Sequence, residues 1–231
     1  MSTPIETSSA SHHAPTRCAL ALERAGLVAM RAEGPERIVA IHGPVGAGKS
    51  HAAARIVAQH NAVFVRLRTV DTARTIAATL CTELLMAPGR TTADSFDLVV
   101  RELRARPRLI IIDEFQLVVG ARAVHVVRDL HDETDAHFLV IGDDRLRRNL
   151  EQHRDRAFHD RIVDWIPTVP LNMEDARKLA LVYAGGLTLT DDLIELLRDE
   201  CAGNTRLTVT ALRRVVEFAR KEGLTRVDAK T

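Results

Sequence analysis

The stretch Gly43-Pro44-Val45-Gly46-Ala47-Gly48-Lys49-Ser50 restricts this chain more than any other. A short apolar run, Ile38 to His42, enters it, and a helix-forming segment from His51 to Gln59 leaves it. Gly43, Gly48, Lys49 and Ser50 stand at the fixed places of G-x-x-x-x-G-K-[ST], a loop that cradles phosphate. Glycines let the backbone turn its N–H groups inward, and the following helix adds its positive end. Lys49 is expected to reach the β- and γ-phosphates of ATP, and Ser50 to ligate Mg²⁺. Gly43, Pro44, Val45, Gly46, Ala47, Gly48, Lys49, Ser50 and His51 form the expected nucleotide-binding set.

A second anchor is Leu109-Ile110-Ile111-Ile112-Asp113-Glu114. Four consecutive large apolar residues predict a parallel strand buried on both faces. Two carboxylates follow at its C-terminal end, where open α/β sheets place their chemistry. Asp113 is expected to hold Mg²⁺, directly or through water. Glu114 is expected to polarise the attacking water as a general base.

The rest of the chain alternates strand and helix. Residues 1–15 are rich in Ser, Thr, Pro and His and are expected to be disordered. A helix is predicted from Thr16 to about Ala32, a strand over Arg37–His42, and a helix from Lys49 to about Asn61. A β-rich run over Ala62–Leu67 has charges at its far end. Helices are predicted over Thr69–Leu85, capped near Asp71, and from Thr92 or Asp94 to about Arg106. Ala121–Asp135 is helical, His137–Gly142 a strand, and Arg145–Gln152 a basic helix. A charged stretch, 153–161, leads to a short strand within Ile162–Val169. From Asn172 the pattern is helices without strands, closing with a helix to Lys221. The expected class is α/β: a parallel sheet flanked by helices over 16–171, then a small helical lid over 172–231.

Bulk properties narrow the partners little. Lys plus Arg number 32 against 31 for Asp plus Glu, so net charge alone does not call for a polyanion. The basic residues are mostly arginine, whose rigid fork suits phosphate. Cys18, Cys81 and Cys201 lack metal-ligand or disulfide spacing. No apolar run is long enough to span a bilayer, and a cytoplasmic location is expected.

Together these residues resemble the AAA+ P-loop ATPases. The resemblance covers roughly Thr16 to Lys221 and is closest to the branch of phage Mu transposition protein B, the transposon target-selector ATPases, and the ExeA-like and origin-recognition ATPases. It is carried by Ile110-Ile111-Ile112-Asp113-Glu114-Phe115-Gln116, and by Val127-Arg128-Asp129-Leu130-His131-Asp132-Glu133-Thr134 running into Phe138-Leu139-Val140-Ile141-Gly142. The resemblance implies a γ-phosphate sensor at Asp143, where the Mu-like pattern carries asparagine. An aspartate there would repel phosphate unless it holds Mg²⁺ or water, or pairs with an arginine. Gly203-Asn204-Thr205-Arg206 resembles the second sensor motif, with Arg206 folding over the phosphates. An arginine finger acting on a neighbouring subunit falls on Arg161, with Arg156 second, which implies a ring or helical filament of copies.

The same resemblance implies binding to double-stranded DNA without reading its sequence, through Arg68, Arg74 and Arg90 at the beginnings of two helices. Arg145, Arg147 and Arg148 make a second basic patch. Aromatic residues are 3%, which argues against stacking on single strands. Only about fifteen residues expected to be disordered and one predicted helix stand before the first core strand here, so DNA affinity is expected to come from the ATPase body and its assembly. The leading expectation is an ATPase that assembles on target DNA and recruits or activates a transposase. The alternative is an ATPase switch acting on a protein partner without DNA.

Overall fold

A computed structural model of the chain describes residues 16–31, 36–152 and 155–231. The expected disordered tail, 1–15, lies outside the described residues. The chain divides into two compact units, Cys18–Val169 and Pro170–Thr231, with Thr16 and Arg17 grouping with the second.

The first unit contains α1 (Arg17–Arg31) from its second residue onward, β1 (Ile38–His42), α2 (Lys49–His60), β2 (Val63–Arg66), α3 (Ala73–Glu83) and α4 (Thr92–Ala105). It continues with β3 (Leu109–Asp113), α5 (Ala123–Glu133), β4 (His137–Gly142), α6 (Arg145–Gln152), α7 (Arg156–His159) and β5 (Ile162–Pro167). Its five strands pair in parallel in the order β2-β3-β4-β1-β5. Side chains of a strand alternate between faces, and this alternation builds two cores. Ile38, Ala40, Ile110, Ile112, Phe138 and Val140 face one way, against Leu80 of α3, Leu103 of α4 and Leu130 of α5. Val39, Ile41, Leu109, Ile111, Leu139 and Ile141 face the other way, against Leu22 of α1 and Ile56 of α2. The apolar run of β3 is buried at every position because both faces are covered.

Several local expectations are corrected. The cap of α3, expected near Asp71, is its neighbour Thr72, in a reciprocal pair with Thr75. Asp71 instead pairs with Arg68, Nη2 to Oδ1 3.0 Å. Thr91 caps α4, and Asp94 closes the box from the third helical position. The charged stretch before β5 contains the short helix α7, seated by Phe158, which stacks on Phe115 at 4.9 Å between ring centres.

The second unit comprises α8 (Met173–Tyr183), β6 (Thr188–Leu189), α9 (Asp191–Glu200), α10 (Thr205–Lys221) and β7 (Arg226–Val227). Asn172 and Asn204 cap α8 and α10. Leu171, Leu179, Ile194 and Leu212 form its core. The expectation of helices without strands is corrected here, since β6 and β7 pair in parallel. Among the described residues no helix is long and apolar enough to cross a membrane.

Phe158 is 1% exposed, so Phe158→Ala leaves a cavity at the stacked pair. The expected cost is ~3–5 kcal/mol, read as a lower denaturant midpoint.

Candidate nucleotide-binding and catalytic site

Because the strands are parallel, the C-terminal ends of β1, β3 and β4 share one edge of the sheet. The loop Gly43–Gly48 leaves β1 there, turning at Pro44, whose carbonyl accepts from Ala47 N at 3.3 Å. Gly43 has φ +154°, and a Cβ on it would meet Thr168 Oγ1 at 1.9 Å. No side chain larger than hydrogen fits between the loop and the residue that follows β5. Gly48, at φ 93°, precedes α2, and no side chain caps this helix. The start of a helix is a place where backbone N–H groups can receive an anion. Lys49 Nζ folds across the loop and donates to Gly43 O at 2.6 Å and Pro44 O at 2.9 Å. Burial lowers its pKa, against the carboxylates of Asp113, Glu114, Asp144 and Asp143, which raise it. Val45 stands exposed at the loop's tip, and His51 is exposed on the first turn of α2.

Asp113 is 2% exposed. Its Oδ2 accepts from Ser50 Oγ at 2.6 Å, and its Oδ1 accepts from Glu114 N at 2.9 Å. Two hard oxygen donors, one anionic, thus converge beside the phosphate loop. This donor set fits Mg²⁺, which takes one or two protein oxygens and completes its shell with phosphate and water. Glu114 adopts the left-handed φ of 61°, uncommon for a side-chain-bearing residue and concentrated at functional sites. Its Oε1 accepts from Arg66 Nη2 at 3.2 Å and its Oε2 from Gln116 Nε2 at 2.7 Å.

Arg66 and Gln116 are functional neighbours that the sequence reading missed. Arg66 ends β2 and lies in register with Asp113 across the β2–β3 pair. That register has no sequence signature. For Gln116 the available signal was a polar residue inside the apolar run Phe115-Gln116-Leu117-Val118.

Asp143 follows β4 and is 8% exposed. Its charge is answered by an arginine: Arg145 donates Nη2 to Oδ2 at 2.6 Å, Nε to Oδ2 at 2.8 Å and N to Oδ1 at 2.9 Å. Burial pushes the Asp143 pKa up, but these hydrogen bonds and the guanidinium charge outweigh it and hold the carboxyl below its ordinary value. Arg145 is therefore not part of an open basic patch. Arg147 is also engaged, donating to Glu151 at 3.1 Å and lying 5.5 Å over the Trp165 ring. Trp165 also meets His42 edge-on at 6.0 Å and His159 at 5.4 Å.

The remaining arginines separate into paired and unpaired groups. Arg161 grips Asp132 with two bonds, Nε to Oδ1 at 2.6 Å and Nη2 to Oδ2 at 2.7 Å, and also donates to the Ala157 carbonyl. Arg156 is exposed, with no ion pair among the described residues. Arg68 is neutralised by Asp71. Arg74 Nη2 donates to Arg90 O at 3.1 Å, which brings these two exposed residues together at the starts of α3 and α4. Arg206 is exposed on the first turn of α10, within the second unit.

Gly43→Ala is expected to weaken binding of a fluorescent ATP analogue by about tenfold or more. The Asp143–Arg145 pair stabilises the fold above the ordinary carboxylate pKa, and this contribution is lost as pH falls through the depressed value. Arg145→Gln is expected to move the Asp143 pKa upward in a carboxyl NMR titration and to shift acid unfolding to higher pH.

No curated protein matches the chain significantly. Solved structures do. The ORC1 protein of Aeropyrum pernix in complex with DNA aligns with a TM-score of 0.67 and 17% identity over 96% of this chain and 65% of that one. Cdc6p from Pyrobaculum aerophilum aligns at 0.65 and 15% over 97% and 66%. The Thermotoga maritima RuvB Holliday junction branch migration motor aligns at 0.59 and 17% over 92% and 64%. This chain therefore spans slightly less than two thirds of each, and at these identities the likeness is one of fold. A family model described as an AAA domain matches residues 32–150, which is more than half of the chain. With the phosphate loop, the carboxylate pair and the parallel sheet in place, the chain belongs to the AAA domain family of ATPases.

Proposed function

We propose that this ATPase assembles on double-stranded DNA without reading its sequence, in a manner set by bound ATP, and there recruits or activates a transposase. The observation that carries the DNA reading is the bond from the Arg74 guanidinium to the Arg90 backbone carbonyl, which places two exposed arginines at adjacent helix starts. Such a pair fits backbone phosphates, which position a protein without specifying sequence. Arg68, held by Asp71, is the weaker member of this set. Two of the similar structures are described as bound to DNA or as a Holliday junction branch migration motor, which agrees with this reading. The transposase partner rests on the resemblance of residues 110–116 and 127–142 to the Mu-like branch.

At the site, the loop N–H groups and Lys49 would hold the triphosphate, and Ser50 and Asp113 would hold Mg²⁺. The metal ion, when bound, would neutralise charge on the phosphate oxygens. Glu114 would take a proton from the water that attacks the γ-phosphorus, and ADP would leave as the phosphoanhydride bond breaks. Asp143, its charge answered by Arg145, would be the sensor at the end of β4. Arg206 would be the second sensor, as the resemblance of residues 203–206 implies. Arg156, exposed, would act on a neighbouring copy in a ring or filament; Arg161 would do so only by releasing Asp132.

The test is fluorescence anisotropy on a random-sequence duplex with ATP, with ADP and without nucleotide, over a salt series. ATP-dependent, cooperative binding is expected, lost in Lys49→Ala and prolonged in Glu114→Gln. Arg74→Ala and Arg90→Ala should each weaken binding alike on all sequences and reduce the log–log salt slope by about 1. Absence of binding at low salt by Glu114→Gln with ATP would overturn the DNA reading and leave a switch directed at a protein partner.

A further inference from the structure

Gln116 lies in the single 3-10 turn Phe115–Leu117 that follows the carboxylate pair, and it is 8% exposed. Both ends of its carboxamide are used. Nε2 donates to Glu114 Oε2 at 2.7 Å, and Oε1 accepts from the backbone N of Asp143 at 3.2 Å. The reverse orientation would set a carbonyl oxygen against a carboxylate and an amino group against an N–H, so the two partners fix the amide. Room for it comes from Gly142, the last residue of β4. A Cβ there would meet Gln116 Oε1 at 2.8 Å and Leu146 Cδ2 at 2.8 Å. Gly142 in turn lies in register with His42, the residue that enters the phosphate loop.

We propose that Gln116 is a positioning residue for ATP hydrolysis: its buried carboxamide holds the Glu114 carboxylate and ties it to the end of β4, the strand beside the phosphate loop. The tie reaches β4 through the backbone N–H of Asp143. It is therefore independent of the Asp143 carboxylate, which Arg145 already occupies. Glu114 and the strand end that flanks the phosphates thus move as one body. Glu114 needs such a support because its backbone sits in a left-handed conformation and its other oxygen is held by Arg66, whose side chain is 57% exposed and lies 4.0 Å from Asp113 as well. The proposal rests on Glu114 as the base, and its test separates the two assignments.

Three variants of the full chain decide it, each measured for steady-state ATP hydrolysis, for binding of a fluorescent ATP analogue and for thermal unfolding. Gln116→Met keeps the volume and removes both hydrogen bonds. Its kcat is expected to fall by about tenfold or more, with KM and nucleotide affinity within about twofold of the parent. Gln116→Glu keeps both bonds only while one proton is shared with Glu114. Two carboxylates in contact raise the apparent pKa of the pair, so the acid limb of the kcat–pH profile is expected to move to higher pH. A Gln116→Met enzyme that folds and keeps the parent kcat overturns the proposal, as does a loss of kcat matched by an equal loss of nucleotide affinity. If Gln116→Met does not fold, Gln116→Asn takes its place, since its shorter amide cannot reach both partners: a loss of kcat at unchanged nucleotide affinity supports the tie, and the parent kcat removes it. Hydrolysis by Glu114→Gln at the parent rate removes the base assignment and the tie together. An inactive Glu114→Gln beside an unaffected Gln116→Met removes the tie alone.

Discussion

Parallel strand pairing is the constraint on which the site depends. It brings the ends of β1, β3 and β4 to one edge, and its register decides which residues meet there. His42 lies beside Gly142, and Arg66 beside Asp113. The register is held by the alternation of Ile38, Ala40, Ile110 and Ile112 into one core and of Val39, Ile41, Leu109 and Ile111 into the other. A slip of one residue would exchange the two faces of a strand and carry its terminal polar residue away from the site. The apolar pattern therefore sets the positions of the charged groups, although none of its side chains touches a phosphate.

Charge balance is the second level of organisation. Asp113, Glu114, Asp143 and Asp144 act together on Lys49. Such a group would repel itself if left bare. Arg66 answers Glu114, Arg145 answers Asp143, and Ser50 donates to Asp113. These three carboxylates are each held in place by a donor that a ligand or a moving side chain can replace. Fixed dipoles of this kind lower the reorganisation that chemistry would otherwise require.

What could be read beforehand follows the range of the interactions. The phosphate loop is contiguous in sequence and its chemistry demands particular residues, so its eight positions were legible. The buried strand before Asp113 was legible because an apolar run of that length has few other uses. The short helix α7 was not, because Phe158 is its one large apolar residue within a run of charges. The strands β6 and β7 are too short, at two residues each, to show a period. Arg66 and Gln116 were missed for a different reason: each gains its meaning from a strand end distant in sequence, and only Gln116, polar inside an apolar run, left a trace in the sequence. Arg161 was singled out by position before β5, and only packing revealed its grip on Asp132. The residues after Asn172 were read as helical, and the caps at Asn172 and Asn204 account for where α8 and α10 begin.

Trp165 is the chain's one tryptophan, and its ring meets His42, the residue from which the phosphate loop departs. An indole is a fluorophore whose emission responds to nearby charge, and here the guanidinium of Arg147 and the rings of His42 and His159 surround it. Burial, with the nearby charges of Arg147 and Lys49, lowers the pKa of His42, while Asp144 raises it. The protein thus carries its own optical probe beside the phosphate loop. Its intrinsic emission reports the electrostatics at the loop's root in the unlabelled molecule.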